Sequence, residues 1–307
     1  MQINTVGSDY LGRKFEIIFN TNPIGLREFG EDNSDLTFLV LGDSFTANPT
    51  AGDKDMWYSI FAEKLSLATG KKIRILAGGG GGYGTYQNLL LLELLKPKIQ
   101  IDAFVLQFCE NDYQNNLFEW EKKSIVLNQI MNRPYALFEN DDILYYRLEG
   151  KFALFYRKIT NNLEIGKALN GLYRKIRRKI YGSWWAPMSY NELTDFQLKS
   201  IKVTEKLLKK IRLSLSDTPS FLVNCSESLN QSIFHKKWIQ IAKNAGFITL
   251  TEPSIFVNKV QLSKKDKNSS LLEYLHGDGG HLSDSGNRMF GMLAADEFLR
   301  NDLVFWE

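Results

Sequence analysis

The apolar positions of this chain fall into short unbroken runs separated by stretches with helical spacing. Thr37–Leu41 (TFLVL), Lys72–Leu76 (KIRIL), Ala103–Phe108 (AFVLQF), Ser220–Asn224 (SFLVN) and Phe247–Leu250 read as strands. The continuous run in the first is the pattern of a strand buried on both faces. Trp57–Thr69, Thr85–Leu95, Glu192–Leu213, Asn230–Ala245 and Ser283–Arg300 carry apolar residues at helical intervals. Gly70, Pro97 and Gly246 mark helix ends, and Ser283 is the expected N-cap of the last helix. Strands alternating with helices predict βαβ units and hence an α/β three-layer sandwich around a mostly parallel, five-stranded sheet, built as one domain. The alternation breaks between Leu117 and Tyr190, a block rich in Tyr, Phe and Trp that contains the basic run Tyr173–Trp185 (YRKIRRKIYGSWW). That block, about 117–190, reads as an insertion, and residues 1–36 as an N-terminal extension.

Composition narrows the function classes. With 44% hydrophobic and 13% aromatic residues, the 307-residue chain has ample material for a core. A formal charge of +3 gives no case for a nucleic-acid partner. The two cysteines, Cys109 and Cys225, are far apart and form no CxxC pair, so neither a disulfide scaffold nor a structural zinc site is expected; both read as small buried residues. No stretch approaches the roughly 18 consecutive apolar residues of a membrane span, and the opening MQINTVGSDYLGRKFEII is too polar for a secretory signal. The expectation is a soluble chain, with the cytoplasm favoured over export. The basic run at 173–185 offers a peripheral contact with an anionic membrane or polysaccharide, or a solvated helix face.

Polar clusters follow three of the strands directly: Asp43-Ser44, Gly78–Gly84, and Asn111-Asp112. In an open parallel sheet such clusters meet beyond the carboxyl ends of the strands, where ligands bind. A serine needs a base within hydrogen-bond reach, and the chain has three histidines. His235 lies inside a helical pattern with no acid or glycine loop nearby. His281 stands just before the last helix, with Asp278 three residues upstream across two glycines. That spacing lets the carboxylate reach the Nδ1 hydrogen and hold the tautomer whose Nε2 accepts a proton.

These parts resemble the SGNH, or GDSL-type, hydrolases, in the form of a larger bacterial member. The resemblance is carried by GDSF at 42–45, GGYGT at 81–85, END at 110–112 and the Asp278-x-x-His281 pair, in the family's order along the chain. It covers roughly residues 22–116 and 219–300 and leaves the middle insertion unexplained. It implies a flavodoxin-like sandwich and ester hydrolysis through an acyl-enzyme, with Ser44 as nucleophile and Asp278 and His281 as acid and base. It also implies an oxyanion hole made of the Ser44 amide, a glycine amide after the second strand, and the Asn111 side chain. Counting back from Gly84-Thr85, that glycine is Gly79 and Ala77 stands where the family has asparagine. The run Gly78–Gly82 leaves this register open by one or two positions. Cys109 replaces the usual glycine before the x-Asn-Asp triplet, and NPIGLRE, with Asn22, Gly25 and Arg27, looks like the lead-in of larger members. Asp43, Asp112 and His276 complete the candidate list as substrate-side residues.

Other readings of the same residues are weaker. The glycine run lacks the lysine and hydroxyl of a phosphate-binding loop, and Lys98-Ile99-Gln100 stand where a dinucleotide fingerprint needs an acid. His276, Asp278 and His281 are suitable zinc ligand types but too few to outweigh a ready serine partner. No cofactor or metal is therefore expected. The expected activity is hydrolysis of carbohydrate O-acetyl or other short-chain esters, small-molecule or glycan. The alternatives are acyl transfer to a glycan hydroxyl and an inactive binding module.

Overall fold

The computed structural model describes residues 1–8, 14–48, 51–118, 134–139, 142–147, 195–225, 233–264, 266, 269–277 and 280–301. In chain order the strands are β1 (Gln2–Ser8), β2 (Lys14–Asn20), β3 (Arg27–Phe29), β4 (Leu36–Gly42), β5 (Ile73–Gly79), β6 (Ala103–Phe108), β7 (Pro134–Glu139), β8 (Asp142–Arg147), β9 (Ser220–Asn224) and β10 (Ile248–Leu250). The helices are α1 (Ser44–Ala47), α2 (Trp57–Thr69), α3 (Thr85–Leu95), α4 (Asn111–Asn116), α5 (Asp195–Ser214), α6 (Ile233–Asn244), α7 (Glu252–Ser263) and α8 (Asp284–Arg300), with single 3-10 turns at Asp53–Asp55 and Ser270–Tyr274.

The central sheet runs β10-β9-β6-β4-β5-β3. Its five parallel strands are those read from the apolar runs, within a few residues at their ends. The sixth, β3, pairs antiparallel with β5 and comes from the stretch expected to be an extension. The sheet therefore has six strands rather than five. Three residues with an arginine and a glutamate are too short and too polar for periodicity to mark as a strand.

Successive residues of β4 enter opposite cores, as a pleated strand requires. Leu39 and Leu41 pack with Leu89 and Leu92 of α3, Val203 and Leu207 of α5, and Trp238 of α6. Phe38 and Val40 pack with Trp57 and Phe61 of α2, Val257 of α7, and Phe290 and Phe298 of α8. This makes three layers. Close approach of α8 to α2 needs Gly291, where a Cβ would overlap the carbonyl of Trp57.

Ser283 caps α8 as expected, accepting from the Gly286 amide at 3.2 Å. α7 was not legible, because Pro253 and the polar Asn258, Lys259 and Gln261 break its apolar pattern; the proline sits in the first turn, where its missing N–H costs nothing. Outside the central sheet, β1 and β2 form an antiparallel hairpin within the extension, and β7 and β8 another within the insertion. The basic run 173–185 lies outside the described residues. Among the described residues no helix is long and apolar enough to cross a membrane.

The cysteines correct the sequence reading. Cys109 and Cys225 are buried, as expected, but they are bonded to each other across 116 residues of chain. The register of the parallel β6–β9 pair sets Phe108 beside Asn224, so the next residue of each strand emerges next to its partner, with Cα atoms 5.1 Å apart. Sequence separation conceals this proximity; strand pairing creates it.

Candidate active site

Three adjacent parallel strands deliver the expected residues to one edge. β4 ends at Gly42, followed by Asp43 and Ser44; β5 ends at Gly79, paired with Gly42; β6 leads through Cys109 to Asn111 at the start of α4. Ser44, Gly79, Asn111 and His281 are all half-buried, whereas Asp43, Asp112 and His276 are buried.

Ser44 is the first residue of α1, a single turn capped by Asp43, whose Oδ1 accepts from the Phe45 amide at 2.9 Å. The Asp43 carboxylate is therefore turned into the protein. Burial pushes its pKa above the ordinary 3.8, opposed by the Phe45 N–H, the Asn111 amide, the charge of His281 and the Gln107 amide.

Gly79 lies directly against this turn. A Cβ there would come 2.6 Å from the Gly42 carbonyl oxygen and 2.9 Å from that of Asp43. An added Cβ at Gly78 or Gly80 would meet side chains, Leu26 at 2.8 Å and Tyr83 at 2.6 Å, and at Gly81 nothing within 4 Å, so of these four Gly79 is the one set against the backbone of the turn.

The Asn111 amide nitrogen donates to Asn115 Oδ1 at 2.8 Å and faces Asp43 Oδ2 at 3.4 Å. Asp112 is fully buried, with Oδ2 accepting from Thr85 Oγ1 at 3.0 Å and Oδ1 from the Cys109 amide at 3.1 Å. It ties the start of α3 to the loop after β6.

His281 lies at the base of α8, in a loop closed by an antiparallel bridge between Leu275 and Leu282 and by the His276 amide donating to the His281 carbonyl at 2.9 Å. Gln261 of α7 donates to the Gly280 carbonyl at 3.1 Å. The imidazole ring lies 5.3 Å, centroid to centroid, from the ring of Phe45, the residue after Ser44. Asp278 lies outside the described residues.

Among the described residues, the group with metal-ligating types is Asp43, Cys109 and Cys225, whose ligand atoms lie within 4.8 Å of one another. With the sulfurs joined, no thiolate is available to a metal.

Gln107 lies beneath the turn and belongs to none of the motifs, while Arg27 of the NPIGLRE lead-in proves to be part of the site's support. Gln107 was visible as the one polar side chain in AFVLQF. Arg27 is buried and donates to the carbonyls of Asn48 and Ala51 and to Asp53, fastening the loop that leaves α1.

Neither a family model nor a curated protein matches the chain. Among solved structures it is similar to an alpha/beta hydrolase from the metagenome of Lake Arreo, Spain (10% identity, 87% of this chain and 94% of that one, TM-score 0.44). It is also similar to an acetylxylan esterase from Geobacillus stearothermophilus (12% identity, 89% and 96%, TM-score 0.43). A third similar structure is the lipase/acylhydrolase from Enterococcus faecalis (12% identity, 87% and 96%, TM-score 0.42). At these identities the similarities carry no residue roles to this chain.

Proposed function

We propose that this protein is a serine esterase acting through an acyl-enzyme on Ser44, with His281 as the base oriented by Asp278. The observation that carries the reading is the apposition of the His281 ring to Phe45, one residue beyond Ser44, at the strand edge where Gly79 and Asn111 also emerge. A neutral His281 takes the Ser44 proton as Oγ attacks the ester carbonyl, then returns it to the departing alcohol; water repeats the cycle on the acyl-enzyme. Charge on the former carbonyl oxygen is met by the amides of Ser44 and Gly79 and by the Asn111 side chain, whose long 3.4 Å bond to Asp43 Oδ2 is the one given up to the oxyanion while Asn115 Oδ1 keeps its hold at 2.8 Å. Short-chain esters, including O-acetyl groups on carbohydrate, are the proposed substrates.

The test is a fluorophosphonate adduct located by peptide mass spectrometry, together with hydrolysis of acetyl, butyryl and octanoyl esters. A single adduct on Ser44 and chelator-resistant cleavage of the acetyl ester are expected. An adduct elsewhere, or activity removed by EDTA and restored by zinc, would sink the mechanism.

A further inference from the structure

We propose that Gln107 is a positioning residue for the nucleophile, with its amide oriented by the Cys109–Cys225 disulfide; this rests on the reading of Ser44 above. Gln107 is fully buried and stands next to last in β6. Its Oε1 accepts from the Asp43 amide at 3.2 Å and from Thr46 Oγ1 at 3.0 Å. Its Nε2 donates to Cys225 Sγ at 2.7 Å and to Cys109 Sγ at 3.2 Å.

The chemistry of these four partners leaves one orientation. A disulfide sulfur has lone pairs and no hydrogen, so the amide must present its N–H groups to it. The carbonyl oxygen is then the group that faces the Asp43 N–H and the Thr46 hydroxyl, which flank Ser44 on either side. A flipped amide would set oxygen against sulfur lone pairs and N–H against N–H, in a site with no solvent to compensate. The contact is close: a Cβ on Gly42 would come 2.5 Å from Gln107 Oε1, so the side chain meets the turn with no room to spare. The same disulfide anchors Cys109, two residues before Asn111, so one buried cluster sets both the nucleophile turn and the start of α4.

The Gln107→Leu and Gln107→Glu variants test this, with p-nitrophenyl acetate as substrate and the rate of fluorophosphonate labelling at Ser44 as a second readout. Gln107→Leu should lower kcat about 10- to 100-fold with KM little changed, the size expected when a reacting group loses the bonds that fix it. Gln107→Glu reads the orientation. Protonated, the new carboxyl offers an acceptor to Asp43 and Thr46 and a donor to the sulfurs, as the amide does. Ionised, it sets charge against the sulfur lone pairs and the Asp43 carboxylate, the titratable group facing it from the β4–α1 turn, with His281 beyond. The neighbours Thr46, Cys109 and Cys225 bring no charge. The ratio of variant to wild-type kcat should therefore fall as pH rises from about 5 to 8, by about tenfold or more. Replacing both cysteines by alanine removes the acceptors and should also lower kcat while sparing KM. An unchanged kcat in Gln107→Leu, or a pH-independent ratio in Gln107→Glu, overturns the proposal. Should Gln107→Leu not fold, the ratio and the cysteine pair decide it. Wild-type protein that does not label at Ser44 overturns the nucleophile reading and this proposal with it.

Discussion

The two halves of the candidate site are held by different means. The nucleophile half is fixed by side chains inside the core: Gln107 and Thr46 under the turn, Asp112 and Thr85 beneath Asn111, and glycines at 42, 79 and 84 where an added Cβ would come within 3.0 Å of a neighbour. The histidine half is held mostly through main chain: the Leu275–Leu282 bridge, the His276–His281 bond, the Ser283 amide on the Tyr274 carbonyl at 2.9 Å, and the cap of α8. A half fixed by packed side chains should transmit any change of volume to the chemistry. A half fixed by backbone bonds should keep its rate on side-chain truncation except at His281 and at Asp278, which orients it.

The largest effect should ignore this distinction. Ser44→Ala and His281→Ala should each lower kcat by at least about 10⁴-fold, and the double variant should be little worse than either, because the pair acts as one unit. Steady-state kinetics with unchanged thermal melts would bear this out; additive losses would divide the pair.

The next pair sharpens the contrast within the nucleophile half. Gly79→Ala should lower kcat about 10²–10³-fold by pushing the turn off its oxyanion geometry, and Asn111→Ala should do the same by removing a donor, with KM far less affected. Gly81→Ala, where an added methyl meets nothing within 4 Å, is the internal control and should be close to silent. Equal losses at Gly79 and Gly81 would mean that crowding against the turn is not what matters.

In the histidine half, Ser283→Ala should cost about 1 kcal/mol of stability for the lost cap while leaving kcat within a factor of about three. A large loss of kcat would show that this loop depends on its side chains after all. Urea melts and initial rates on the same samples measure both.

The smallest expected effect is on the pH dependence of stability. The folded pKa of Asp43 is raised by burial above its ordinary 3.8, so the folded state holds that proton to higher pH than the unfolded chain does. Its contribution to stability therefore declines as pH rises from near 3.8 through the folded value and stays low above it. Asp43→Asn keeps the cap on Phe45 and removes the ionisation. The stability of the variant relative to wild type should rise over that window, as measured by urea melts between pH 4 and 7.

The chain by itself determined the five parallel strands, most of the helices packed on them and the strand-end positions of Ser44, Asn111 and the glycine run, within which the fold singles out Gly79 as the end of β5. These are written in local terms: continuous apolar runs, 3.6-residue spacing, and small or polar residues just past strand ends. Ser283 was legible for the same reason, since a cap is a property of a few consecutive residues. What the tertiary structure alone decided depends on pairing between distant segments. The antiparallel edge strand at Arg27–Phe29 exists because β5 leaves an open edge beside it, not because three mixed residues favour extension. The disulfide exists because parallel register aligns the ends of β6 and β9. Asp112 reads from sequence as a substrate-side acid, yet its carboxylate is taken up by Thr85 and Cys109, which are separated in the chain and joined by the fold. Gln107 is a single polar residue in an apolar run until the sheet sets the nucleophile turn on one side of its amide and two bonded sulfurs on the other. Local periodicity records which face of an element is buried; it does not record what that face meets, and at this site the partners supply the chemistry.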